Sequence, residues 1–351
     1  MTNPAPPSAS AHPPVIGVLL VNLGTPEAPT AAAVRRYLVE FLSDPRVIET
    51  PRWLWWLILH GVILRVRPAR SARAYASIWT PQGSPLRVQS EALAAALQED
   101  LIHRGTPVKV ALAMRYGEPA LAPAIAALHG AGVRRLLVLP LYPQFSAAST
   151  GSAFDGATRA LTRLRWPPEL RFVNDYHEDA NYIDALATSV REYWREHGRA
   201  QRLLLSFHGL PQRYVDAGDP YFDQCQTTAR LLRERLQLSE DEMAVSFQSR
   251  VGHEPWLQPY TDELLRRWPH ENVRHVQVLC PGFAVDCLET LEEIAIRNRD
   301  DFTAAGGERL DYIPALNDGA EHVRALSALI RRHLLGWPGF ESAAGNPLAS
   351  T

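Results

Sequence analysis

An alternation constrains this chain more than any other feature. Short, predominantly apolar runs occur at 15–21 (VIGVLLV), 108–114 (VKVALAM), 133–139 (VRRLLVL), 170–174, 202–207, 243–248, 273–279 and 309–313. Between them lie longer segments with apolar residues at helical spacing, at 30–42, 86–103, 119–131, 151–164, 180–197, 222–235, 254–267, 286–302 and 319–334. A strand that is apolar on both faces needs cover on both faces, and helices between strands supply it. The pattern therefore predicts α/β architecture with doubly wound parallel sheets. At 351 residues the chain is long enough for about two domains, and 46% hydrophobic residues against 21% charged can fill a large core.

The chain also repeats itself. VLLVNLGTPE (18–27) aligns with LLLSFHGLPQ (203–212), placing Leu23 opposite His208. MRYGEPALAP (114–123) aligns with SRVGHEPWLQP (249–259), placing Arg115 opposite Arg250, and VRRLLVLP (133–140) with VRHVQVLCP (273–281). The order is the same in both halves, which predicts two similar domains, at 15–168 and 169–318, followed by a C-terminal helix at 319–335. The Pro-, Ser- and Ala-rich residues 1–14 and the stretch 336–351 read as flexible tails. The first half carries an insertion at about 45–85 containing WLWWLILHGVIL (53–64), with Arg65, Arg67, Arg70 and Arg73 just beyond. Twelve residues are too few to span a bilayer, which takes about 20. Tryptophans beside arginines fit a lip over a cleft, an element lying on a membrane surface, or plain core.

A net charge of −2 gives no case for a nucleic-acid partner. Three cysteines without a CxxC argue against a disulfide framework or a Cys-rich metal site, and for a reducing compartment. No Lys or Arg precedes Arg35, so no signal or transit peptide is expected. The phosphate-binding loops GxGxxG and GxxxxGK[ST] and the GxSxG elbow are missing, which disfavours a nucleotide cofactor.

Ligands in such folds bind beyond the carboxyl ends of the strands. His208 ends one strand, and VLCPGFAVDCLETLEEI (278–294) leaves another. There Asp286 and Glu289 fit a capping box. Glu289 and Glu293 also share a helix face, and crowded carboxylates hold a proton or a cation. An imidazole and a carboxylate at equivalent loop levels can bind a divalent metal or act as a base–acid pair. Cys287 reads as a small buried hydrophobe or a soft ligand.

These residues sit in segments that resemble the ferrochelatase family, bacterial type, from about residue 15 to 335: LLVNLGTPE, SPLRVQS, AMRYGEP, PLYPQFSAASTGS, LLSFHGLPQRYVDAGDPY, FQSRVGHEPWLQP and CPGFAVDCLETLEEI, in that order. The resemblance implies two Rossmann-like domains facing across a porphyrin cleft, and insertion of Fe²⁺ into protoporphyrin IX, the last step of haem synthesis. It places the active-site histidine at His208 and the glutamate at Glu289, both also metal ligands, with Glu293 as a proton or metal relay. It places porphyrin-wall residues at Leu23, Tyr75, Arg115, Tyr142 and Trp256. Where many members carry a histidine two residues before that glutamate, this chain has Cys287. With no cysteine beyond Cys287, no iron–sulfur cluster is expected. Coproporphyrin ferrochelatase and cobalt chelatase are the neighbouring activities, and a non-catalytic porphyrin carrier is the alternative of another class. A cytoplasmic protein peripheral to the inner face of the membrane through its 53–64 lip is implied, with a haem-accepting or porphyrin-delivering protein as partner.

Overall fold

The computed structural model describes residues 15–252, 254–338 and 340. The N-terminal segment 1–14 and the stretch from 341 on, read above as tails, lie outside the described residues. Eight strands form two four-stranded parallel sheets. The first contains β1 (Val15–Gly24), β2 (Val108–Tyr116), β3 (Val133–Pro140) and β4 (Glu169–Phe172), in the order β2-β1-β3-β4. The second contains β5 (Arg202–His208), β6 (Met243–Gln248), β7 (His275–Leu279) and β8 (Arg309–Ile313), in the order β6-β5-β7-β8. The two orders are the same once renumbered, so the repeat read in the sequence is a repeat of topology. β1 and β5 are interior strands covered on both faces, which is why they are the most uniformly apolar.

The repeat needs one change of register. In the first half the Met114 N–H donates to Pro119 O, and Met114 bridges Ala120; in the second the Phe247 N–H donates to Pro259 O, and Phe247 bridges Tyr260. Met114 therefore corresponds to Phe247, and Arg115 to Gln248, not to Arg250 as the shared Glu-Pro pair suggested. The second half has extra residues between these points. They form the loop carrying Trp256, and the helix expected from 254 starts only at Thr261. Pro255 and Pro259 explain the delay, since proline removes a donor and pushes its predecessor out of helical geometry.

Two boundaries also move. β4, assigned above to the second domain, pairs with β3 through Arg135↔Glu169 to Val138↔Phe172, so the first sheet runs past residue 168. Residues 336–338 are not a free tail: Trp337 is buried, and its indole N–H donates to Glu169 at 2.6 Å. Burying an indole repays ordering the chain that carries it. One large core joins Leu137 and Leu139 of the first sheet to Leu205 and Phe207 of the second and to Leu326 and Ile330 of the C-terminal helix Ala320–Leu334.

The insertion folds as helix Arg52–Ile58, a five-residue π-turn Leu59–Ile63 and helix Leu64–Ile78. Leu59, Leu64, Ala72 and Tyr75 face inward against Val34 and Leu38 of the helix Ala31–Leu42, and Leu288 of the second half packs on the same cluster. Trp53, Trp56, Leu57, Val62 and Val66 face out.

Candidate active site

Chain order reverses between β5 and β7, because the chain leaves β5 for β6 on one side and returns to β7 on the other. Ligands of open parallel sheets lie at such a crevice. β5 stops at His208 because Gly209 must approach β6 closely: a Cβ at Gly209 would lie 2.8 Å from Gln248 O and 3.2 Å from the Trp256 ring. The half-buried imidazole has Nδ1 2.6 Å from Gly209 O. A carbonyl only accepts, so Nδ1 carries a hydrogen, and in the neutral ring Nε2 keeps its lone pair. The Phe283 ring stands 6.4 Å away between ring centres.

The other wall comes from the turn after β7. No capping box forms there. The Asp286 N–H donates to Asn317 Oδ1 at 2.8 Å, and the Asp286 carboxylate is a buried hub. Its Oδ1 accepts from Tyr312 at 2.6 Å and from Thr290 at 3.0 Å, and its Oδ2 accepts from Asn317 at 2.8 Å. The helix that follows is a π-helix from Glu289 to Asn298, a form rare at this length and common as single turns at functional sites. Its five-residue repeat pairs Glu292 with Arg297 at 2.6 Å and draws Glu292 off the face that Glu289 and Glu293 share. The Glu293 carboxylate accepts from Ser249 N at 2.9 Å and from Ser249 Oγ at 2.5 Å. Burial raises its pKa above the ordinary carboxylate value; the Ser249 bonds, Arg297 and His208 offset this only in part. Glu293 also borders a cavity of about 170 Å³ lined by Ser249, Asp262, Arg297, Asn298 and Asp301. It therefore borders this cavity while also feeling the charge of the imidazole.

Glu289 lies among groups of the first half. Its charge is felt by Tyr37 and Tyr75, whose pKa values rise chiefly through burial, and by Arg67, whose pKa falls through burial against the pull of Glu289. Burial and Glu289 together push up the Cys287 thiol, keeping it neutral.

The expected wall residues divide. Leu23 and Tyr75 lie in the cluster that also holds Leu288, next to Glu289. Trp256 lies over Gly209, and Tyr142 at the end of β3 packs on the first sheet; Trp256 Nε1 and Tyr142 Oη are buried without a protein partner. Orphaned donors of this kind ask for a partner from outside the chain. Arg115 is held differently. It pairs with the buried Asp44 at 2.5 Å and donates to Ser152 Oγ at 2.7 Å, so its guanidinium is already committed. Arg67 makes no ion pair or side-chain hydrogen bond among the described residues, and it is buried near enough to Glu289 to feel its charge. Gln248, Ser249 and Asp286 carry supporting roles that the sequence did not announce. The hint was the polar FQS at the end of an apolar strand.

A family model for ferrochelatase matches residues 15–334. The ferrochelatase of Nitrosococcus oceani is 55% identical over 330 residues, 94% of this chain and 90% of that protein. That of Methylibium petroleiphilum is 56% identical over 321 residues, 92% and 88% of the two chains. Among solved structures, SirB from Bacillus subtilis with Fe³⁺ superposes with a TM-score of 0.56 at 14% identity, covering 93% of this chain and 98% of that one. CbiX, the terminal enzyme of sirohaem biosynthesis in denitrifying bacteria, gives 0.50 at 14% identity, covering 90% and 98%. The fold is that of the chelatases.

Proposed function

The chain belongs to the ferrochelatase family, and from that premise we propose that His208 and Glu289 are its catalytic pair. The reaction is that of a lyase inserting Fe²⁺ into a porphyrin. Two pyrrole N–H bonds break, two metal–nitrogen bonds replace them with two further nitrogen donors, and two protons leave. In our reading Nε2 of His208 accepts a pyrrole proton or holds the incoming ion, and Glu289 does the complementary task. Two protein ligands leave the ion exchangeable, as delivery to a macrocycle requires. Glu293, biased toward holding a proton, passes charge toward the outer cavity.

The supporting observation is the His208 Nδ1–H bond to Gly209 O, which in the neutral ring leaves Nε2 its lone pair, at the same switch point from which the Glu289 turn departs. Protoporphyrin IX is the porphyrin favoured, because the wall of Leu23, Tyr75 and Leu288 is apolar and Arg67 is the cation at hand for a propionate. Coproporphyrin would bring two more carboxylates to that wall. The reading includes no iron–sulfur cluster and no nucleotide. It places the protein in the cytoplasm, peripheral to the inner face of the membrane through the outward Trp53, Trp56 and Leu57, with a haem-accepting or porphyrin-delivering protein as partner.

The test is anaerobic metallation of protoporphyrin and coproporphyrin side by side, with porphyrin binding followed by fluorescence quenching. His208→Ala and Glu289→Ala are expected to bind porphyrin and to lose about 100-fold or more in rate. Near-normal rates in both variants overturn the assignment. Binding without metallation by the unaltered protein would favour the carrier.

A further inference from the structure

Three hydrogen bonds, through Gly209 and Gln248, connect His208 to the backbone of Glu289. His208 Nδ1–H donates to Gly209 O at 2.6 Å, the Gly209 N–H donates to Gln248 O at 2.8 Å, and Gln248 Nε2 donates to Glu289 O at 2.8 Å. Strand register reinforces it, since His208 and Gln248 are direct partners between β5 and β6. Gln248 is thus held through its backbone to the histidine and through its side chain to the first residue of the π-helix.

The orientation of that side chain is fixed by chemistry. Glu289 O can only accept, so the amide nitrogen must face it. The amide oxygen then accepts from Ser206 Oγ at 2.6 Å and Cys280 Sγ at 3.6 Å. Ser206 in turn contacts Thr261 at 2.8 Å, and Thr261 contacts Ser246 at 2.8 Å. With the Ser206 hydrogen given to Gln248, Thr261 donates to Ser206, and Ser246 has its hydrogen for Thr261 or for Leu205 O at 3.4 Å, so the chain from Thr261 runs one way and ends on the amide oxygen. Ser206, Ser246, Thr261 and Gln248 are all buried. A buried polar network of this size is tolerated when every member is satisfied, and it then specifies one geometry. The next residue, Ser249, holds Glu293 with its N–H and Oγ, so consecutive positions at the end of β6 fix both glutamates of the π-helix face.

We propose that Gln248 is a positioning residue that sets the separation of His208 and Glu289 through its Nε2–H···O bond to the Glu289 backbone. The proposal rests on the reading of His208 and Glu289 as the catalytic pair. Its counterpart in the first half, Arg115, uses the same strand-end position to hold Asp44, so the position anchors a neighbouring loop in both halves while only the second anchors a catalytic group.

The experiment compares Gln248→Met, similar in length but without the donor, with Ser206→Ala, which leaves the amide in place and removes the bond that orients it. For Gln248→Met, kcat is expected to fall roughly 10- to 100-fold, the scale of an ångström-sized misplacement. KM for porphyrin and one-to-one porphyrin binding by fluorescence should stay unchanged. Ser206→Ala should show the same signature at a smaller size. A cycle with Glu289→Asp supplies the readout that a general structural defect would not move: in that background Gln248→Met should cost less than twofold more, because the carboxylate is already displaced. Fully multiplicative losses, or wild-type kcat in Gln248→Met, overturn the positioning role. Wild-type rates in Glu289→Asp and Glu289→Ala would instead overturn the reading of the pair, so the two failures are distinguishable.

Discussion

Arg115 and Arg67 show how partners decide what a cation does. Arg115 is pinned to a buried carboxylate that burial alone would push up. Bonds from Ser152, the Arg46 N–H and Tyr116, with the Arg115 charge, hold Asp44 below the ordinary carboxylate value instead. Removing one member of a buried pair leaves the other uncompensated. Arg115→Ala should therefore destabilise the protein by about 3 kcal/mol, read from urea unfolding, with KM for porphyrin unchanged in the folded fraction. Arg67→Gln should do the reverse, leaving stability near wild type and raising KM for porphyrin about tenfold, as the loss of one charge-assisted bond predicts. A raised KM in Arg115→Ala at full stability would restore the propionate role that its motif suggested. The positions of His208 at a strand end and of Glu289 and Glu293 on one helix were legible, because strand ends and helix faces are local patterns; their catalytic roles belong to the proposal. The partner of Arg115 was not legible, since its carboxylate lies 71 residues away in the chain.

Elements were legible to within a few residues wherever hydrophobic period decides them, and β6 and β8 match their expected spans. Helix type was not. Over ten residues an apolar pattern fits an α- or a π-helix equally, and the five-apart Glu292–Arg297 pair shows its meaning only once the backbone is known. The lip is a sharper case, because the sequence could not say which of its tryptophans face the core. Trp55 turns in and donates to Leu42 O at 2.6 Å, whereas Trp53 is 71% and Trp56 59% exposed. The outward residues form an apolar patch flanked by the exposed Arg52, Arg65, Arg70 and Arg73, a composition suited to an anionic lipid surface. No described helix is long and apolar enough to cross a bilayer. The combined change Trp53→Ser, Trp56→Ser and Leu57→Ser should lower co-sedimentation with phosphatidylglycerol-containing vesicles at least tenfold. Metallation of detergent-dispersed porphyrin should persist, because the inner face is untouched. Equal sedimentation of wild type and variant would remove the membrane from the account.

At the scale of the molecule, two sheets of one topology are tied by elements that cross between them, and the C-terminal helix is the chief of these. At its start His322 is fully buried. Its Nδ1 lies 2.6 Å from Asn317 O, and its Nε2 has no partner. Asn317, in left-handed backbone geometry at φ 48°, holds both the N–H and the carboxylate of Asp286, and Asp286 anchors the turn that delivers Glu289. Burial lowers the His322 pKa from 6.5 to about 4, with the bond to Asn317 offsetting part of the effect. The unfolded chain therefore binds a proton here that the folded chain refuses, and stability must fall as pH drops from about 6.5 toward 4. That gap corresponds to roughly 3 kcal/mol. Asp44, with its pKa depressed, contributes stability that persists above its unfolded value of 3.8 and is lost only as pH falls through its lower folded value, so the two windows are separate. His322→Asn keeps a donor for Asn317 O and removes the titration. Whatever constant loss the smaller side chain brings, its unfolding free energy should fall less steeply between pH 6.5 and 4.5 than the wild-type curve, the remaining slope including His333, whose pKa burial also lowers. Parallel curves would mean that acid reaches the Glu289 turn by another route than this buried imidazole.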